Sequence, residues 1–171
     1  MTRTYLNLLL LFLVLLFLQV GVFNSIHLFG IATPVLFVYF ILKLPVEMNR
    51  NSVLLLAAFS GFIIDLFTST LGLNMLALTV VGFSRYYMIR LFGPREVFEN
   101  MVPSISSFGR TQFLTYSGFL LFVNLLFLFG VESLTLFNPL RLILQIVSSL
   151  FLSLLIVYGF ELIYQALIVK K

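Results

Sequence analysis

The stretch that decides the fold is residues 53–91, VLLLAAFSGFIIDLFTSTLGLNMLALTVVGFSRYYMIRL, in which two apolar runs meet at a short polar connection, residues 68–74. A helix needs about 20 residues to cross a hydrocarbon core about 30 Å thick, so each run is long enough for one span. Gly72 and Asn74 flank the turn and predict a tight antiparallel hairpin. Asp65 lies inside the first run, where a carboxylate costs roughly 2.5–3.5 kcal/mol and therefore needs a partner or a function.

The composition extends this interpretation to the whole chain. Of 171 residues, 61% are hydrophobic and only 9% are charged, against about 25% charged in an average soluble domain. We therefore predict an all-α polytopic membrane protein, with one integral domain over residues 1–171. The apolar runs predict six spans joined by short connections, with a polar loop at 92–111: about 5–23, 28–44, 53–69, 73–91, 112–130 and 140–168.

The basic residues predict the orientation of these spans. With the N-terminus in the cytoplasm, nine of the ten lysines and arginines fall at or near the inner side, and only Arg141 falls outside. The seven tyrosines also lie in the inner parts of their spans, as an aromatic belt does. Six spans with both termini inside follow from this pattern; five spans would leave the C-terminal lysines outside.

Asp65 and Arg141 are the first polar pair to consider. Asp65 lies about 18 Å from the inner start of its helix, and Arg141 enters the last span from the outer face, so their depths are compatible. Three interpretations stay open: a structural ion pair, a site that faces a cavity or a partner helix, and a protonated Asp65 bonded to a backbone carbonyl.

Two further patterns concern helix packing. Arg85 and Glu161 both fall near the inner interface, where they can pair or reach water separately. Ser60 and Gly61, with Ala57 and Ala58, form a small-residue patch that predicts a close helix–helix contact, within this chain or with another.

The sequence offers no catalytic constellation. It contains no cysteine and one histidine, His27, so it predicts no disulfide, thiolate or metal site. We find no Ser/His/Asp set, no phosphate-binding loop and no paired carboxylates at a shared depth. We therefore expect neither an enzyme nor a cofactor. The net charge of +4 reports topology in a membrane protein and does not predict nucleic-acid binding.

The chain resembles the MreD family of rod shape-determining membrane proteins, most closely its Bacteroidetes form. The most specific segment is the G-x-x-x-D-x-x-x-x-x-x-G pattern of Gly61, Asp65 and Gly72, followed by the loop Gly93-Pro94-Arg95-Glu96. In the family that loop more often reads S-P-R-D, and proline, arginine and an acid are kept here. Weaker matches extend the resemblance over nearly the whole chain at residues 18–20, 40–45, 85–87 and 141–144.

The resemblance implies a six-helix inner-membrane protein without catalysis of its own, with a fold similar to the substrate-binding subunits of energy-coupling-factor transporters. Its partners would be MreC, then the RodA glycosyltransferase and a class B penicillin-binding transpeptidase, with MreB filaments indirectly. The hairpin held by Gly72 would dock the transmembrane helix of MreC, with Asp65 and Arg141 fixing its inner geometry. Pro94, Arg95 and Glu96 would form a cytoplasmic contact.

The fold similarity also gives an alternative, a membrane subunit of a transporter that binds a vitamin or another small molecule. Such a subunit needs an outer pocket with converging polar groups. Five residues are candidates for lining one: His27, Asp65, Asn74, Glu132 and Arg141. The outer loops are very short and the chain holds 21 phenylalanines, which favours packing against apolar partner helices over binding a polar solute.

Overall fold

The computed structural model describes residues 2–22, 33–70, 72–93, 101–132 and 139–168. All regular secondary structure in these ranges is helical, so the all-α class is confirmed. The helices are α1 (Thr2–Gly21), α2 (Val38–Leu42), α3 (Arg50–Thr68), α4 (Leu73–Phe92), α5 (Ile105–Phe108), α6 (Arg110–Glu132) and α7 (Pro139–Ile168).

Four helices are long and apolar enough to cross a bilayer: α3, α4, α6 and α7. In each of them, between 22% and 39% of the most apolar window is buried inside the protein, so most of the apolar surface faces outward. Exposing so much apolar surface to water is unfavourable, and the protein is therefore embedded in a membrane. The number of six spans and the inside location of both termini stay predictions.

The second predicted span differs from the structure. A continuous helix over 28–44 is wrong for its described part, because residues 33–36 are not helical and α2 holds only five residues. Pro34 lacks an amide hydrogen, and the amides of Thr33 and Val35 donate to side chains of α7 instead of to helix carbonyls. The segment is thus a short non-helical stretch of backbone followed by little more than one helical turn.

This short segment lies at the centre of the molecule. Every residue from 34 to 45 is buried, although only five of these residues are helical. The Phe12 ring of α1 packs edge-on against Phe37 and Phe40, with centroids 5.4 and 5.2 Å apart. Non-helical backbone at membrane depth is tolerated only where protein surrounds it, and that condition is met here.

The contacts of the segment fix the directions of its neighbours. Thr33 bonds to Ser149 and Tyr39 bonds to Glu161, so the segment runs parallel to α7. Gln19 bonds to Pro34 while Phe12 packs against Phe40, so the segment runs antiparallel to α1. One end of the molecule therefore gathers residues 43–50, the last turns of α4, residues 101–110 and the last turns of α7. We call it the basic end, because five described cations lie there: Lys43, Arg50, Arg85, Arg90 and Arg110.

Candidate functional site

Asp65 is the helix cap of the α3–α4 hairpin. Its Oδ1 accepts the Thr70 hydroxyl at 2.5 Å and both the backbone and the side-chain amide of Asn74 at 3.0 Å, and its Oδ2 accepts the Met75 amide at 2.9 Å. Asn74 and Met75 lie in the first turn of α4, whose N-cap residue, Gly72, has no side chain to offer. Asp65 thus caps α4 from the neighbouring helix, and its charge also complements the N-terminal dipole.

Backbone geometry lets this cap form. Ser69 (φ 55°) and Gly72 (φ 76°) both adopt left-handed conformations, which turn the chain within four residues. The carbonyl of Asp65 accepts the amides of Ser69 and Thr70 and so closes the end of α3. The left-handed conformation is least costly for glycine, which has no Cβ atom, and this explains Gly72 at this position.

Gly61 allows the two helices to approach closely beside the cap. A Cβ atom at Gly61 would overlap the backbone of Asn74 and Met75. One turn before Gly61, Ala57 faces Gly82 of α4, where an added Cβ atom would lie 3.0 Å from the Ala57 Cβ. The small-residue patch is therefore used within the chain. Gly61, Asp65, Gly72 and Asn74, all singled out in the sequence, meet in this one hairpin.

Arg141 does not join them. It is exposed in the first turn of α7, and the hydrogen bonds that the Asp65 carboxylate accepts within the described chain all come from residues 70–75. Of the three interpretations of Asp65, the ion pair with Arg141 is therefore not the arrangement seen, because local donors satisfy the carboxylate. Pro94, Arg95, Glu96 and His27 lie outside the described residues, as does the side chain of Glu132.

A second polar cluster, unexpected from the sequence, lies inside the basic end. Lys43 Nζ is 2.5 Å from Glu161 Oε2, and both side chains are excluded from solvent, at 1% and 0% exposure. Glu161 also accepts the Tyr39 hydroxyl at 2.8 Å and the Ile105 amide at 3.2 Å. Arg85 instead donates to the carbonyls of Leu44 and Pro45, so the suggested Arg85–Glu161 pair is not formed.

Further contacts satisfy the Lys43 ammonium. It donates to the Pro103 carbonyl at 3.0 Å and lies 4.4 Å from the centroid of the Tyr164 ring. A buried ion pair offsets its desolvation only when such additional partners are present. The cluster ties residues 39–43, the loop at 103–105 and α7 together. The signal that could have found it was one lysine and one glutamate, each flanked by apolar residues.

Gln19 holds the non-helical stretch from the side of α1. Its Oε1 accepts the amides of Leu36 at 2.8 Å and Phe37 at 3.2 Å, and its Nε2 donates to the Pro34 carbonyl at 3.4 Å. On the other side, Ser149 and Ser153 accept amides of the same segment at 3.0 and 2.9 Å. These three polar side chains replace the hydrogen bonds that a helix would have formed.

The described residues contain no group of three or more His, Cys, Asp or Glu side chains able to hold a metal ion. Comparison of the chain with known protein families, with curated proteins and with solved structures found no match. Within the described part of the chain, the Asp65 cap and the Lys43–Glu161 ion pair fix the positions of helices.

Proposed function

We propose that this chain is a non-catalytic multi-pass subunit of the bacterial cytoplasmic membrane that binds the transmembrane helix of an MreC-type protein. In this role it helps to couple peptidoglycan synthesis to cell shape, as its resemblance to the MreD family implies. The wider complex would include a RodA-type glycosyltransferase and a class B penicillin-binding transpeptidase, and MreB filaments would be reached indirectly. The chain itself would cross the membrane six times, with both termini inside.

The observation that carries the proposal is the outer face of α3. Four large apolar side chains on this helix, Leu55, Phe59, Phe62 and Leu66, are each at least 48% exposed. Their spacing of four, three and four residues places them on one stripe of the helix. A single apolar helix can pack along such a stripe, and we call it the α3 stripe.

The hairpin supports the α3 stripe from behind. Val53, Ala57, Gly61 and Ile64 form the buried side of α3, against α4. Asp65 caps α4 through the amides of Asn74 and Met75 and also accepts the Thr70 hydroxyl and the Asn74 side chain, which ties the end of α3 to the start of α4. In this proposal Asp65 positions the docking helix and does not touch the partner.

The transporter alternative requires polar groups that are free to meet a solute. The carboxylate of Asp65 and the amide of Asn74 are instead bonded to each other and to Thr70. Their use as a helix cap favours the helix-binding proposal over an outer pocket built on these residues.

The proposal is tested by isolating the tagged full chain from its native membrane in a mild detergent and identifying the co-purified proteins by mass spectrometry. We expect an MreC-type protein with one transmembrane helix, accompanied by wall-synthesis enzymes. Phe59→Ala should reduce the recovery of that partner, whereas Phe122→Ala, at an exposed position of α6, should not. Recovery of paired ATPases and a coupling membrane subunit, without an MreC-type protein, would overturn the proposal and favour the transporter.

A further inference from the structure

A pocket of about 400 Å³ opens at the basic end between α3, α4 and the connection that precedes α3. Three arginines line it, Arg50, Arg85 and Arg90, together with the aromatic ring of Tyr86. None of its described lining residues is acidic. Glu47 belongs to the same connection but is not part of the wall. The pocket therefore concentrates positive charge.

Arg85 is the deepest of the three arginines. Only 2% of its surface is exposed, and its Nη2 donates to the carbonyls of Leu44 and Pro45. Its Nε is buried and has no hydrogen-bond partner within the described part of the chain. The Tyr116 hydroxyl, which is buried and also has no hydrogen-bond partner in the described residues, interacts with Arg85, so the contribution of Arg85 to the pocket is its positive charge.

Arg50 and Arg90 flank the pocket and are held by aromatic rings. The Arg50 guanidinium carbon lies 4.4 Å from the centroid of Phe83, and that of Arg90 lies 4.9 Å from the centroid of Tyr86. Stacking uses the faces of a guanidinium and leaves its N–H edge for bidentate contact with phosphate or carboxylate oxygens. The first turn of α3 adds positive potential, because Arg50 and Val53 are in the wall and Asn49 provides no side-chain cap.

The surroundings indicate where the anion comes from. Phe83, Tyr87 and Leu91 of α4 are exposed beside the pocket, with Leu91 at 68%. An anion with hydrocarbon tails would place its charged group among the arginines and its chains along these residues. We propose that the pocket binds the headgroup phosphate of an anionic phospholipid from the adjoining membrane leaflet. This proposal does not depend on the partner proposed above.

The test uses the purified, delipidated full chain in detergent and measures lipid binding by native mass spectrometry. The probes are phosphatidylglycerol, phosphatidylcholine and inorganic phosphate. The variant is Arg50→Gln combined with Arg90→Gln, and the matched control is Arg110→Gln, which removes an exposed arginine at the same end and outside the pocket. Since one arginine near a membrane surface contributes about fivefold in affinity, we expect the double variant to bind phosphatidylglycerol about 25-fold more weakly.

The control should bind phosphatidylglycerol as tightly as the unaltered chain does. The control and the unaltered chain should each bind phosphatidylcholine more weakly than phosphatidylglycerol. If the double variant fails to fold, Arg90→Gln alone, at an exposed position, should still weaken binding about fivefold. Equal losses in the control and the double variant would reduce the effect to general surface charge and overturn the proposal. Equal binding of both lipids would also overturn it, and displacement of phosphatidylglycerol by an equal concentration of inorganic phosphate would assign the pocket to a soluble phosphate instead.

Discussion

The buried pair of Lys43 and Glu161 leads to a quantitative prediction. Lys43→Met leaves the Glu161 carboxylate in the core with the Tyr39 hydroxyl and the Ile105 amide but without its cation, which stands 2.5 Å away in the unaltered chain. Glu161→Gln leaves the Lys43 charge unpaired in the same way. Removing one partner of a buried pair costs about 3–5 kcal/mol, so each single variant should lose that much free energy of unfolding.

The double variant Lys43→Met with Glu161→Gln should be far milder than the two single variants suggest. The glutamine oxygen can still accept the Ile105 amide, its Nε2 can donate to the Tyr39 hydroxyl oxygen, and no buried charge remains. The loss is then the hydrogen bond to the Pro103 carbonyl, about 1 kcal/mol, so that adding the cost of each single variant overestimates the double by at least about 5 kcal/mol.

The assay is unfolding in mixed micelles by added dodecyl sulfate, followed by circular dichroism, for the four members of the cycle. Arg110→Gln, at an exposed position, is the control and should change the free energy of unfolding by no more than about 0.5 kcal/mol. Single variants that cost less than about 1 kcal/mol, or a double variant that costs the sum of both, would refute the reasoning, because the pair would then not be dry and coupled.

Substitutions at four positions, with Gly130→Ala as a control, test the remaining features, by the same assay unless another measurement is named. Asp65→Ala should cost about 2 kcal/mol by uncapping α4, and Asp65→Asn about half of that because an amide oxygen still accepts; equal costs would contradict the cap. Gly61→Ala should cost about 3 kcal/mol by overlap with the backbone of α4, while Gly130→Ala, which has open space, should be neutral or slightly stabilising. Gln19→Leu should cost about 2–4 kcal/mol by orphaning two buried amides, and hydrogen exchange should rise at residues 36 and 37. Asn124→Leu should raise the melting temperature by removing a buried amide that has no partner in the described chain, and a fall would indicate an unseen partner.

Local patterns in the sequence were sufficient to predict the α3–α4 hairpin. Two apolar runs of span length and a glycine in the turn specified α3 and α4 to within three residues at each boundary. The partners of Asp65 also lie within ten residues of it, so they too were readable in principle. The signal was an acid one turn before the end of α3, followed by a glycine N-cap that cannot cap itself. Matching depths with Arg141 was the weaker argument, since it ignored these nearby donors.

The core around residues 34–45 was not predictable in the same way. Its hydrophobic run is long enough for a membrane span. The interruption of the helix depends on side chains that accept its backbone amides from far away in the sequence, such as Ser153, 118 residues from Val35. The sequence analysis placed Lys43 at the inner membrane surface, because lysines at the ends of spans report topology. In the structure Lys43 is buried, because it pairs with Glu161 of α7, which is far away in the sequence. The two serines at 149 and 153 are spaced by four residues on one face of an apolar helix. That spacing was the available sign that α7 binds backbone rather than lipid on this side.

The measurement that tests the proposed function most directly is site-specific crosslinking in native membranes. The chain has no cysteine, so single cysteines can be introduced without a background. We predict that Phe59→Cys, in the α3 stripe, crosslinks to a cysteine series in the transmembrane helix of the MreC-type partner with a helical periodicity, and that Phe122→Cys on α6 does not. Equal crosslinking from both positions, or none from Phe59→Cys while the partner co-purifies, would contradict docking on α3.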